Sequence, residues 1–594
     1  ARHGGPLLAE RTVGGLRILN PGGPVTIPGA GGFILTLNSV GGLGIDMTNA
    51  TADLTVGSVV ALGTNQTWAV QSLRLLTVSG TISNATAAAG IAKTGAGTLV
   101  LSGNNLYTGP TTNTAGTLRA TTYATALGAG SLTLAGGALE LVNDTYTMFG
   151  RNTTVTGDAT VVSDRLTPGA AVTQSLNTLT IGSCVLSAVA GGNQGSSPSF
   201  DTAGLAFGST TLTGDPTFNV SNGVNAGMVL TLAALNDGGV ARTITKSGNG
   251  TLILSTAASS LINGTRVNIT AGTLIAPPGE VTVTTPLGSL AAVDVADGAT
   301  FFVGYSAAVG ALSNTGSVLN SGCVVLPPNS FRILTVGGTN NLSSVFSGVI
   351  SGNGQLTKAG TGTLTLCGSN TYWNVTTINA GTLAVSNATG SATGSGAVNV
   401  NSGGTLGGHG SCAGLVTVNN GGSLAPGMPG AAGGTLTVGS LTLNPVSTNI
   451  FEFNSDPTND TIRVTASNGL SIFGGVIYLY TQGTTDAWAV NGTRNLIRYT
   501  GAIAGGLSLS VGNPSSGKSY VFGTNGGWVT LTISDGSVWD GGGSDDNWQT
   551  ATNWAGDTAP TAGAGLVFAG SARLTPVNDF PANTKFGDMV FDNT

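Results

Sequence analysis

Charge is what this sequence has least of. Of 594 residues, 19 are Lys or Arg and 25 are Asp or Glu, for a net charge of −6. That leaves no basic stripe for nucleic acid and no Lys/Arg cluster for an anionic lipid surface. Histidine is scarcer: His3 stands near the N-terminus and His409 in the glycine turn LGGHGS. Ser-His-Asp and Cys-His chemistry needs an imidazole held in place, which a solvated turn residue does not provide. No GDSGG-like segment occurs, and the acidic residues are too scattered for the facing carboxylates of a polysaccharide-cleaving site. A protein that is not an enzyme and carries no cofactor is expected.

Long apolar runs are also missing, so no transmembrane helix is expected. The opening ARHGGPLLAERTVGG lacks a signal-type hydrophobic core, and the C-terminus lacks the aromatic-girdled strands of an outer-membrane barrel. The chain reads as a processed segment or as one unit of something longer. The four cysteines, Cys184, Cys323, Cys367 and Cys412, show no CxxC spacing. A Cys367–Cys412 pair would span about two coils, in the chemistry that an oxidising exterior permits. DGGGSDD (Asp540, Asp545, Asp546) and DPTND (Asp456, Asp460) are the nearest approach to calcium loops. Without a repeated calcium-binding nonapeptide they read as acidic turns, and no metal site is expected. The Gly-x-Gly pairs TGAGT, SGNGT and AGTGT precede strands, not helices, so they make no phosphate cradle.

What is abundant is glycine, 97 residues of it, among Thr, Ser, Asn and Ala, with 40% hydrophobic residues and positive mean hydropathy. The Val, Leu and Ile supply a core that argues against disorder, and Gly and Asn supply tight corners. Only five lysines occur, and three of them, Lys93, Lys246 and Lys358, open the same block. Its copies are KTGAGTLVLSGNNLYTGPTTNTAGTLRA, KSGNGTLILSTAASSLINGTRVNITAGTLIA and KAGTGTLTLCGSNTYWNVTTINAGTLAV. An internal repeat of this kind outranks other sequence signals. Leu99/Leu101, Leu252/Leu254 and Leu364/Leu366 alternate with Thr, Val and Ile, the period of a strand with one buried face. A second Thr-Leu follows at Leu118, Leu274 and Leu383, after 19, 22 and 19 residues. Returning to the same corner after one winding predicts an all-β parallel solenoid, its leucines stacked in a column and its middle copy bulging at one corner. A solenoid of this length would extend roughly 12–14 nm at about 4.8 Å per coil.

These blocks resemble the autotransporter-associated β-strand repeat of bacterial passenger domains. The likeness extends to NQTWAV (65–70), VFSGVISGNGQLTKAG, and residues 403–444, together about half of the chain. It implies a right-handed parallel β-helix on the outer surface of a bacterium or outside it, acting as a scaffold without enzymatic activity.

In chain order, residues 1–400 read as solenoid containing the marked repeats 93–120, 246–276 and 358–385. Residues 401–535 continue it with longer strands such as NIFEFN, GGVIYLY and WVTLTI. Residues 536–594 form a terminal β segment with Trp539, Trp548 and Trp554. In the family such a W–x–NW–P–F block commonly opens a unit, whereas here it comes last. FPANTKFGDMVFDNT parallels LLAERTVGGLRILNP, with Phe586, Met589 and Phe591 set against Val13, Leu16 and Ile18. Such ends could stack copy on copy, and a heterologous contact of that kind that does not close makes a filament. The competing expectation is an adhesin passenger that binds glycan or a neighbouring cell, with Tyr372, Trp373 and the three terminal tryptophans as platforms; core packing is their other possible role. Sequons at Asn49, Asn84, Asn374 and Asn387 leave glycosylation open.

Overall fold

In Thr-Leu-x-Leu the branched and small residues alternate with leucine, so an extended chain buries one side and presents the other to water. The computed structural model shows this in every copy. Thr98–Leu101 runs parallel to Thr117–Thr121 with Leu99 beside Leu118. Thr251–Leu254 pairs likewise with Thr273–Ala276, and Thr363–Leu366 with Gly381–Val385, placing Leu252 beside Leu274 and Leu364 beside Leu383. Each interval is one winding of a parallel β-solenoid. The structure describes residues 9–591 except 30, 40, 86–87, 196–200, 256–260, 263, 277–290, 305, 315, 317, 328–331, 339–340, 428–432, 455–458, 516–517 and 588. The three extra residues of the middle copy fall between Leu254 and Val267, a stretch that includes 256–260 and 263.

Contacts divide the chain into two compact units, residues 1–317 with 321–325 and residues 318–320 with 326–594. In the first, a ten-stranded sheet runs from Leu16–Arg17 to Leu235–Asn236 and a thirteen-stranded sheet from Val25–Ile27 to Ala311–Ser313. Non-consecutive strands are neighbours throughout, as stacked coils require. Leu76, Leu99, Leu118, Leu139 and Val161 form one continuous inward column, each fully buried. Burial is worth about 1.5–3 kcal/mol per such side chain.

The second unit has an eight-stranded parallel sheet from Ser344–Phe346 to Leu509–Val511. Its neighbour carries longer strands, among them Thr435–Leu443 and Gly492–Thr500. Here the pairing changes sense. Gly492–Thr500 takes Trp528–Asp535 antiparallel, and Lys518–Asn525 pairs back on that strand as a hairpin. Gly526 and Gly527 turn the hairpin at φ +56° and +79°, a conformation that favours glycine. Ser537–Trp539, Leu566–Phe568 and Met589–Phe591 then form a separate three-stranded parallel sheet. An asparagine ladder lies along this unit: Nδ2 of Asn401 donates to Oδ1 of Asn379 (2.8 Å), Asn419 to Asn401 (2.9 Å) and Asn444 to Asn419 (3.1 Å). Among the described residues no helix is long and apolar enough to cross a membrane.

Candidate functional site

The invariant lysine of the blocks points inward and is buried. Lys93 Nζ donates to the carbonyls of Thr94 (3.0 Å), Gly95 (2.6 Å) and, one coil on, Ala115 (2.9 Å). Lys246 does the same to Ser247, Gly248 and Ala271, and Lys358 to Ala359, Gly360 and Ala380. Three donors meet three acceptors, and the third acceptor ties one coil to the next. Burial pushes each ammonium pKa down to about 8. The carbonyls, by contrast, favour the charged form.

Above each clasp sits the glycine of Ala-Gly-Thr-Leu. Gly116, Gly272 and Gly381 have φ of +66°, +65° and +64°. A Cβ there would stand no more than 2.6 Å from two carbonyl oxygens of the coil below, those of Gly95 and Gly97 in the first copy. Only glycine allows that approach, because real Cβ atoms do not come so near an oxygen.

The first and third copies share a second device. Asn105 Oδ1 accepts from Ile82 N–H and its Nδ2 donates to Ala126 O, reading the coils on either side. Asn370 repeats this between Ile350 and Ala392. Two residues on, the buried hydroxyls of Tyr107 and Tyr372 bond Thr111 and Thr376 at 2.6 and 2.7 Å. Burial raises both phenols far above their usual pKa. In the middle copy the corresponding stretch, which carries the three extra residues, has no Asn-x-Tyr. The sequence showed that the lysine position is shared but not what it does; its partners are backbone carbonyls, two of them local and one a full coil away.

The repeat leucines Leu99, Leu101, Leu118, Leu252, Leu254, Leu274, Leu364, Leu366 and Leu383 all lie in the core. Most of the aromatic platforms considered from sequence do not reach the surface. Tyr372 is held inside by its hydroxyl bond, and Trp539, Trp548 and Trp554 build the core of the terminal segment with Leu566 and Phe568. Trp554 Nε1 donates to Trp548 O at 2.7 Å, and Trp539 meets Trp554 edge-on at 5.3 Å. A small segment with little aliphatic content buries its rings because nothing else can fill its centre. Trp373 alone of the five is a surface residue, 61% exposed.

The acidic turns spend their carboxylates locally. Asp545 accepts from Asn547 N–H, Thr550 and Asn553, and the Thr550 hydroxyl first among these holds its pKa low. Asp546 pairs with Arg573. Asp460 is buried and takes the N–H groups of Gly434 and Glu452, while burial lifts its pKa to about 7. Asp456 and His3 lie outside the described residues. Among the described residues no three His, Cys, Asp or Glu side chains are grouped to hold a metal. His409 is an exposed turn residue beside Ser386. No disulfide joins any of the four cysteines, so Cys367 and Cys412 are not paired, and Cys412 is buried. Of the sequons, Asn387 is buried with its amide bonded to Thr389 O and Gly390 O, whereas Asn49 is exposed.

At the two end coils the core thins. Val13, Leu16 and Ile18 are half-buried, although Leu37 and Ile45, beside Val13 and Leu16, are fully covered. Trp539, Phe568 and Phe591 stand in register on the terminal sheet, with Phe591 76% exposed and stacked on Phe568 at 5.3 Å. Met589 is exposed and Phe586 half-buried. A cavity of about 350 Å³ opens beside Phe591, walled by Trp539, Phe568, Arg573, Leu574 and Pro576.

A family model described as passenger-associated-transport-repeat matches residues 91–120, 244–276 and 356–385, the three segments that carry the lysine clasp. Three passenger-associated-transport repeats are thus part of this chain. A relative, the adhesin BmaC autotransporter of Brucella suis biovar 1 (strain 1330), is 31% identical over 173 residues. That alignment covers 28% of this chain and 5% of the relative, so the chain spans a small part of that protein's length. Passenger repeats imply a surface or extracellular location.

Proposed function

We propose that this protein is a non-catalytic structural element of a bacterial surface, a solenoid that joins head to tail into filaments or stands as a rigid stalk. The observation that carries this reading is the pair of end coils. Each offers a parallel strand that is paired on one side among the described residues, and apolar side chains that stand half-buried or exposed there. Unpaired parallel edges with apolar interiors favour a like partner. Charge supports the match: residues 1–20 hold three Arg and one Glu, and residues 579–594 three Asp and one Lys. In this reading Val13, Leu16 and Ile18 of one copy extend the column of Phe586, Met589 and Phe591 of another, and residues 536–594 act as the joining segment.

Negative-stain electron microscopy of the purified chain across a concentration series tests it. Filaments are expected, and Phe591→Asp or Leu16→Asp should return single particles with unchanged circular dichroism. Dispersed particles at every concentration would rule the joint out.

The adhesin reading draws on the relative's own description and on Trp373. If it is right, Trp373→Ala lowers binding of the protein to a glycan array or to cells by about tenfold, in line with the cost of losing an exposed aromatic anchor. Binding equal to that of the unaltered protein would remove Trp373 from consideration.

A further inference from the structure

At two outward strand positions of the first unit, arginine meets an acid on the next coil. Arg17 stands in register with Asp46 and Arg119 with Glu140, and each makes an ion pair there. The second unit holds the opposite arrangement. Arg463, in the strand Thr461–Ser467, stands in register with Arg498 of Gly492–Thr500, and both are exposed. Like charges on neighbouring strands, ~4.8 Å apart, repel, so such a pair weakens the sheet unless an anion joins it. Among the described residues no acid forms an ion pair with either. Between residues 461 and 534 the only acid is Asp486, in the turn after Gly475–Thr481 on the other sheet. Asp460, just before the strand, is buried and spent on the N–H groups of Gly434 and Glu452.

The pair lies in a row that crosses six strands. Ser411, Thr437, Arg463, Arg498, Trp528 and Asn525 follow one another in register, on the side away from the core. Each side chain carries an N–H or O–H donor. Among the described residues only Arg498 spends one on the protein. Its Nη1 donates to Gly526 O at 2.7 Å, and its guanidinium lies 5.4 Å from the centre of the Trp528 ring. These two contacts fix the planar fork before a ligand arrives and leave most of its N–H groups free. Bulges bracket the pair: Val464, Thr465 and Ala466 stand against Tyr499 alone, and Leu496 has no residue opposite it on Trp528–Asp535. Bulges re-aim neighbouring side chains, and these flank the arginines where the sheet changes from parallel to antiparallel. Phosphate backbones and anionic membranes are held by clusters of cations, and two arginines are too few. A protein partner needs an apolar centre, which this polar row lacks. A chain of carboxylated sugars matches it: carboxylates take the arginine forks, and hydroxyls both give and accept hydrogen bonds with Ser411, Thr437 and Asn525.

We propose that the row centred on Arg463 and Arg498 is a binding site for an acidic polysaccharide, a chain of carboxylated sugars. The proposal rests on the adhesin reading, but not on Trp373 or on the end coils.

Polygalacturonate should bind the full chain in isothermal titration calorimetry, less tightly as salt is added, and neutral dextran should not bind. Arg463→Gln/Arg498→Gln should weaken binding by at least about tenfold, the loss expected for charge-assisted hydrogen bonds. Arg463→Glu is the sharper variant, because it restores the arginine–acid arrangement of Arg119 and Glu140. Its strand should exchange hydrogen no faster than in the unaltered chain, and yet polygalacturonate should not bind. Arg266→Gln removes the same charge from an exposed strand position of the first unit and should bind normally. No binding by the unaltered chain, or full binding by Arg463→Glu, would overturn the proposal. Equally tight binding of polyglutamate that the arginine variants lose would also overturn it, because the row would then hold an acidic peptide. Trp373→Ala should leave the titration unchanged. Loss of binding in Trp373→Ala, with full binding by the arginine variants, would remove this site and leave the adhesin reading standing.

Discussion

Gly116→Ala, Gly272→Ala and Gly381→Ala should each open the solenoid locally. Two costs add at these positions. An alanine in the left-handed region is strained by about 1–3 kcal/mol. The new methyl also falls within 2.6 Å of two carbonyls of the coil below, and overpacking of this kind costs about 1–3 kcal/mol more. The two nearest atoms are backbone carbonyl oxygens in each case, so no side chain can swing away to relieve the contact. Because long stacked arrays unfold in parts, the loss is best read by hydrogen exchange in strands such as Thr98–Leu101 and Thr117–Thr121, not from one melting point. Gly22→Ala is the control: its φ is also positive, but nothing stands within 4 Å of the added methyl. It should show the conformational cost alone. Equal protection in Gly22→Ala and Gly116→Ala would mean that coil contact is not what requires glycine in the repeat.

Lys93→Met should destabilise the same coils by roughly 2–4 kcal/mol. Buried carbonyls left without a donor cost about 1–3 kcal/mol each, offset in part because no charge has to be stripped of water. The pH response gives the signature. In the unfolded chain the amine titrates at 10.5, and in the clasp burial lowers this to about 8. Below about pH 8 both states carry the proton. Between about 8 and 10.5 the unfolded chain binds more protons than the folded one, so stability rises with pH across that window and levels off above it. Protection factors near Lys93, Lys246 and Lys358 should therefore climb from pH 8 to 10.5, and the climb near residue 93 should vanish in Lys93→Met. A fall over that range would show that the three carbonyls outweigh burial and hold the proton on.

Period-two alternation in Thr-Leu-x-Leu and the return of Thr-Leu after 19 or 22 residues were enough to read parallel coils and their register, because both follow from one strand lying on the last. The lysine could be picked out but not explained, since a clasp to backbone carbonyls leaves no partner side chain in the sequence. Trp539, Trp548 and Trp554 were ambiguous for a related reason: rings suit a sugar platform and a small core equally until burial is known.

The asparagine ladder gives the second unit something that stacked leucines cannot. Every amide from Asn444 to Asn401 donates toward the lower-numbered coil, so the amide group dipoles point one way and add, with the positive pole at Asn379 and the negative pole at Asn444. Reversing one amide would set donor against donor and acceptor against acceptor, so the orientation is all-or-none. The coils from Asn379 to Asn444 thus differ electrically between their two directions along the stack.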